Sequence, residues 1–214
     1  MGEQLELFGD PSGAAAPLPS LDAARATART CTRCDLAATR RQVVFGVGPA
    51  DAQLMVVGEG PSEADDASGQ PFSGPTGRLL DAWLRTIGLD RRQVWLTNIV
   101  RCRAAQVEGG RLRNRPPRQA EIAACRYWME LELRLVRPRV VLCLGATAAR
   151  ALIGRDFQLT AERGRWRALP DSTPALATYN PAYVLRLEGD ARARAEHEVA
   201  LDLASVRARL QGTP

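Results

Sequence analysis

Apolar positions along the chain follow two periods. The runs Leu54–Val57, Val94–Val100, Val140–Leu144 and Ala175–Thr178 are nearly continuous in apolar character. Such runs fit strands covered on both faces. Amphipathic segments with helical spacing lie between and around them and predict helices over Leu21–Thr30, Gly77–Ile87, Pro117–Val136, Ala146–Leu152 and Ala191–Leu210. Strands alternating with helices in this order predict an α/β fold, a three-layer αβα sandwich around a central, mainly parallel four-stranded sheet. Val43-Val44-Phe45 reads as a further short strand, and a turn at Gly164 followed by Arg165 to Leu169 adds a late hairpin strand. Residues 1–20, rich in Gly, Ala, Pro and Ser, carry neither period and read as a flexible tail; residues 21–214 are expected to form one domain.

One junction stands out. After Leu54–Val57 comes GEGPSEADDASGQPFSGPTG, Gly58 to Gly77, and then an amphipathic helix. Strand ends that feed helix N-termini are where open α/β sheets bind ligands. This loop holds Glu59, Glu63, Asp65 and Asp66, which is a poor cradle for a phosphate, and neither a Walker pattern nor G-x-G-x-x-G is matched. Its carboxylates suit work on water or hydrogen bonding to a neutral polar ligand.

Composition narrows the chemistry. All 29 basic residues are arginine, against 24 acidic ones, giving a net charge of +5 that suits an anionic partner. Without lysine, no side chain can form a Schiff base. His197 is the single histidine, which excludes histidine-rich metal sites and, in practice, Ser-His triads. No apolar run is long enough for a membrane span, and the acidic N-terminus lacks the layout of a secretory signal. An intracellular chain with reduced cysteines is therefore expected.

Five cysteines are present. Cys31 and Cys34 form a C-x2-C pair, Cys102 follows a predicted strand, and Cys125 lies in a predicted helix. Cys143 sits inside an apolar strand and reads as core. Four thiolates placed in this way can hold zinc or an iron–sulfur cluster, and their spacing does not choose between the two.

Taken together, these segments resemble the uracil-DNA glycosylase superfamily, specifically its family 4 members with an iron–sulfur cluster. The likeness runs from Cys31 to Leu210. CTRCDL resembles the opening cysteine pair; GEGPSEADDASGQPFSGPTGRLLD the first active-site motif; LTNIVRCR the strand with a base-reading asparagine and third cysteine; NRPPRQAEIAAC the proline-rich loop and fourth cysteine. YNPAYVLR, Tyr179 to Arg186, stands where the family carries a histidine-proline motif.

The resemblance implies a [4Fe–4S] cluster on Cys31, Cys34, Cys102 and Cys125, and a monomeric, monofunctional glycosylase that excises uracil from flipped-out nucleotides in base excision repair. It implies that Phe72 stacks on the base beside Gly60, that Asn98 pairs with its N3–H and O4, and that Glu59, with Asp65 as second choice, positions water. Asp66 completes an acidic pair with Asp65. Asn180 replaces the usual histidine, as in mismatch-specific members of the superfamily, so slower release or another base (hypoxanthine, xanthine or a modified uracil) is an alternative, as is a catalytically weak lesion-binding protein. Tyr183, Val184 and Leu185 resemble an intercalating wedge, with Arg186, Arg115 and Arg118 as phosphate contacts. Ser62 departs from the family's glycine, and Ala104 to Arg113 is longer than usual. At the tail, Gln4-Leu5-Glu6-Leu7-Phe8 resembles the bacterial sliding-clamp-binding pentapeptide, implying a clamp partner through Gln4, Leu5, Leu7 and Phe8 and a cytoplasmic, nucleoid-associated bacterial enzyme.

Overall fold

The structure is a computed structural model that describes residues 17–212. The clamp-like segment at Gln4, Leu5, Leu7 and Phe8 lies outside the described residues. In chain order the elements are α1 (Leu21–Arg29), a 3-10 turn (Asp35–Ala38), β1 (Leu54–Gly58), α2 (Glu63–Ser68), α3 (Pro75–Thr86), β2 (Trp95–Asn98), β3 (Ala105–Glu108), β4 (Arg111–Asn114), α4 (Gln119–Val136), β5 (Val140–Leu144), α5 (Ala146–Leu152), α6 (Leu159–Glu162), β6 (Arg167–Ala168), β7 (Pro174–Thr178), α7 (Pro181–Val184) and α8 (Gly189–Leu210).

The main sheet runs β2-β1-β5-β7-β6. The first four strands are parallel, and β6 pairs antiparallel with β7. Its fifth strand is the short hairpin member after Gly164. Every residue of β1 and β5 is buried, which explains their unbroken apolar sequence. Alternate side chains serve opposite faces. Leu54, Val56, Leu142, Leu144 and Leu176 pack with α3 and α8 through Leu80, Leu84, Val199 and Leu203. Met55, Val57, Val141, Cys143 and Ala177 pack with α1, α4 and α5 through Ala28, Trp128, Met129 and Ala148. Three layers result, as the sequence pattern predicts.

Three local expectations change. Val43-Val44-Phe45 forms no strand: Val44 N–H donates to the Arg101 carbonyl at 2.8 Å, and only Val47 makes a bridge, to Leu96. Gly46 and Gly48 explain this path, because a Cβ on either would meet Trp95 or the Val94 carbonyl at 2.4 Å or less. The loop after β1 contains helix α2, capped reciprocally by Ser62 and Asp65. The long segment from Ala104 is an exposed hairpin, β3–β4, turning at Gly109 and Gly110, both with positive φ. No helix among the described residues is long and apolar enough to cross a membrane.

Candidate active site

The carboxyl ends of β1, β2, β5 and β7 form one edge of the sheet, the usual ligand edge of parallel α/β folds. In the register, Gly58 of β1 lies beside Asn98 of β2. A Cβ on Gly58 would stand 2.4 Å from Asn98 Oδ1 and 2.7 Å from Phe72 Cζ, so the amide and the ring converge over a bare backbone. Phe72 is buried and holds φ of 56°, a conformation that L residues rarely adopt. Its carbonyl accepts from Arg91 Nη2 at 3.0 Å, and Arg91 pairs with Asp81 at 2.9 Å. Gly77 is required beneath it, because a Cβ there would meet the Phe72 carbonyl oxygen at 1.6 Å. Gly60 likewise leaves room for Val100.

Asn98 is 2% exposed, and its Nδ2 has no hydrogen-bond partner. The Thr97 hydroxyl beside it is also unpartnered. Buried donors without acceptors are rare and mark places where another molecule completes the bonding.

The acidic residues divide by position. Glu59 is half-buried at the end of β1, and Thr147 Oγ1 on α5 donates to its Oε2 at 2.5 Å. Asp65 is buried and accepts from Ser62 N–H at 2.9 Å and from the Ser73 N–H and hydroxyl, both at 2.7 Å. Asp66 accepts from Arg41 N–H at 3.0 Å. Both aspartates therefore hold the chain around Phe72 together, and the bonds to Ser62 and Ser73 leave Asp65 little capacity for water.

Asn180 lies beyond β7 and caps α7. Its Oδ1 accepts from Ala182 N–H at 2.9 Å, and its Nδ2 donates to the Leu144 carbonyl at 3.3 Å. Gly145, with φ of 92°, lets the β5–α5 turn pass beneath it. On α7, Tyr183 and Leu185 are 41% and 36% exposed, while Val184 is fully buried against α3 and α8. A helical turn can show only some of its side chains outward, so Val184 belongs to the core. Arg186 and Arg118 are exposed. Arg115 is not free for a phosphate: its guanidinium grips Glu121 at 2.5 and 2.8 Å.

The four cysteines meet in a separate recess, lined also by Arg33, Arg40, Arg101 and Trp128. Three of the sulfurs receive N–H donors: Cys31 from Trp128 Nε1 at 3.3 Å, Cys102 from Arg40 at 3.5 Å and Cys125 from the Arg101 N–H at 3.3 Å. Burial pushes the Cys102 thiol up to about 12 and raises Cys34 and Cys125 as well. Among the described residues no three such side chains are drawn close enough to hold a single metal ion. Cys143 is wholly buried in β5, away from the recess lining.

The sequence pattern did not single out Thr147, Arg91 or Arg101. Thr147 meets Glu59 across 88 residues and Arg101 meets Glu132 across 31, so the tertiary fold brings these pairs together. Arg101 joins the two centres: its N–H reaches Cys125 Sγ, its guanidinium donates to the Asn98 carbonyl and, at 3.0 Å, to Glu132.

A family model described as "Uracil DNA glycosylase superfamily" matches residues 45–204. The chain is 35% identical to a type-4 uracil-DNA glycosylase of Thermotoga maritima, over 74% of this chain and 79% of that protein. It is 34% identical to the type-4 enzyme of Archaeoglobus fulgidus, over 78% and 84% respectively. A type-5 uracil-DNA glycosylase of Thermus thermophilus is 29% identical over 64% of this chain and 68% of its own. With the matched span and these relatives in agreement, the chain belongs to the uracil-DNA glycosylase superfamily.

Proposed function

We propose that this protein is a monofunctional DNA glycosylase that flips uracil out of DNA and hydrolyses its N-glycosidic bond, leaving an abasic site. The carrying observation is the buried, unpartnered amide nitrogen of Asn98 beside the Phe72 ring. An orphaned buried donor costs about 1–3 kcal/mol, and a base that accepts from it recovers that cost. Uracil offers O4 and N3–H side by side, matching the amide's donor and acceptor. In this orientation cytosine would set its own amino group against Nδ2, a mismatch that polar sites reject strongly. Phe72 supplies the stacking face.

Glu59 holds the attacking water and opposes the positive charge that develops on the sugar. Asp65 braces the loop that carries Phe72. Asn180 spends one amide hydrogen on Leu144 and keeps the other; that hydrogen serves O2 of the departing base. As a neutral donor it replaces a chargeable imidazole, and losing such stabilisation costs about 10²–10³ in rate. Tyr183 and Leu185, rather than Val184, fill the vacated stack, and Arg186 and Arg118 are the phosphate contacts that remain. No lysine exists to form a lyase intermediate.

The four cysteines hold a [4Fe–4S] cluster. Four thiols around one recess would supply the four ligands that such a cluster takes. The N–H donors at the sulfurs and the guanidinium groups of Arg33, Arg40 and Arg101 fit its negative charge. The group would act as a structural staple. A purified protein absorbing in the visible and carrying iron supports this; a colourless, zinc-loaded one overturns it. The tail residues Gln4, Leu5, Leu7 and Phe8 bind a sliding clamp, so removing residues 1–8 abolishes clamp binding and leaves excision from oligonucleotides unchanged.

The deciding assay incubates oligonucleotides bearing single uracil, hypoxanthine or xanthine with the enzyme, followed by alkali. Strand cleavage at uracil is expected. Retained binding with no cleavage at uracil overturns the reading.

A further inference from the structure

We propose that Thr147 is a positioning residue for Glu59, locking that carboxylate in the rotamer that holds water. The proposal rests on the catalytic reading of Glu59 given above and deepens it.

Thr147 Oγ1 donates to Glu59 Oε2 across 88 residues of sequence at 2.5 Å. No other hydrogen bond reaches the Glu59 carboxylate among the described residues. One oxygen is pinned, and the other is left to accept from water. A glutamate at a strand end has three side-chain torsions to fix, and an unrestrained one spends little time in a single rotamer. The anchor itself is well held. Thr147 lies in the first turn of α5, directly after the β5–α5 junction. There Gly145 N–H donates to the Thr178 carbonyl at 2.8 Å, and the Leu144 carbonyl accepts from Asn180. Ala148 and Ala149, the next two residues, are fully buried. The threonine therefore stands on a turn clamped between β5 and β7, and it transmits that rigidity to the end of β1.

The chemistry of the contact favours this role over simple packing. A hydroxyl donating to a carboxylate is a charge-assisted bond, stronger than a neutral one. It restrains orientation without consuming the second oxygen.

The test measures single-turnover excision of uracil from an oligonucleotide under enzyme excess, with affinity for undamaged duplex measured separately. Thr147→Val keeps the shape and removes the donor; Thr147→Ser restores it. A hydrogen bond to a charged group is worth roughly 10- to 100-fold in rate. Thr147→Val is expected to slow single-turnover excision by that factor, with unchanged duplex affinity and a melting temperature lower by no more than about 10 °C. Thr147→Ser should recover to within about threefold. In a Glu59→Gln background the further change to Val should add nothing, because the carboxylate that it positions is gone. Full activity in Thr147→Val beside an inactive Glu59→Gln overturns the positioning role alone. So does equal slowing by Thr147→Val in both backgrounds. A fully active Glu59→Gln overturns the assignment of Glu59, and this proposal with it.

Discussion

Replacing Gly58 with alanine tests the geometry of the pocket with one carbon. The new Cβ would lie 2.4 Å from Asn98 Oδ1 and 2.7 Å from Phe72 Cζ. Carbon atoms rest about 3.5–4.0 Å apart, so the ring has to retreat by roughly 1 Å, and the amide by a similar amount. Neither can yield freely. Phe72 is fixed from behind by Arg91, which holds its carbonyl, and by the close passage of Gly77. Asn98 sits in the β1–β2 register, and its own carbonyl is held by Arg101. Gly58 does not have a positive φ, so the effect is one of space and not of backbone conformation.

The strain should cost about 1–3 kcal/mol of stability, as overpacking usually does, while the fold survives. Displacing reacting groups by 1 Å costs about 10²-fold in rate, so kcat/KM for uracil excision is expected to fall by about that factor. The assay is steady-state excision from a uracil oligonucleotide beside binding to undamaged duplex, which should change little. A Gly58→Ala enzyme within threefold of wild type would show that Phe72 and Asn98 do not jointly grip the base.

Three further outcomes are expected. Glu132, fully buried, accepts from Gly46 N–H, Trp95 Nε1 and Arg101 Nε at 3.1, 2.9 and 3.0 Å. Glu132→Gln leaves a buried cation unpaired, costing about 3–5 kcal/mol, or a melting temperature lower by about 6–20 °C; calorimetry showing a drop under 2 °C would refute this. The Arg115 guanidinium beside Glu121 holds that carboxyl below its ordinary 4.5. A lowered folded pKa stabilises above the unfolded value and loses that effect as pH falls through the folded one. The difference in urea midpoint between wild type and Arg115→Gln should therefore narrow as pH drops below 4.5, and a gap that stays constant contradicts it. Leu185→Ala should slow excision from duplex by about tenfold while sparing single-stranded substrate, since a wedge matters only where a stack must be opened; equal loss on both substrates rejects the wedge.

Much of the scaffold was legible because burial on both faces writes itself as continuous apolar runs. β5 and α5 coincide with the bounds that the pattern predicts, and the acidic loop at the end of β1 carries Phe72 to the side of Asn98. The failures share a cause. Val43-Val44-Phe45 has the composition of a strand, yet its neighbours Gly46 and Gly48 let the backbone slide under Trp95 and spend its hydrogen bonds singly. Val184 looked like part of an exposed wedge because a four-residue helix carries no period from which to read its buried side. Arg115 looked like a phosphate ligand because its partner, six residues on, belongs to a helix cap whose geometry sequence spacing does not reveal. The Gly109-Gly110 turn, by contrast, is a hairpin signal carried by the sequence itself. Thr147 left no such signal, because its role exists only once β1 and β5 are paired.

The strand ends that carry Asn98 and Asn180 are held by different partners, and on the proposed function this bears on what Asn180 changes. The strand end at Asn98 is built into the core. Arg101 ties the Asn98 carbonyl to Glu132, which also binds Gly46 and Trp95, and the Arg101 backbone reaches Cys125 in the cysteine recess. On the proposed function, anything that staples those cysteines also fixes the strand end that would read the base. Asn180 stands outside that network: it is held at the β5–α5 junction through the Leu144 carbonyl at 3.3 Å and through its own cap on Ala182 N–H at 2.9 Å. On the proposed function, base choice resides with Asn98 and Phe72. On the same reading Asn180, which stands where the resembled family carries histidine, assists departure of the base. We infer that it sets how fast uracil leaves and not which base is taken. Restoring histidine with Asn180→His should accordingly raise the uracil rate without opening activity on hypoxanthine. A variant that gained a new base instead of speed would place recognition on the Asn180 side and sink this division of labour.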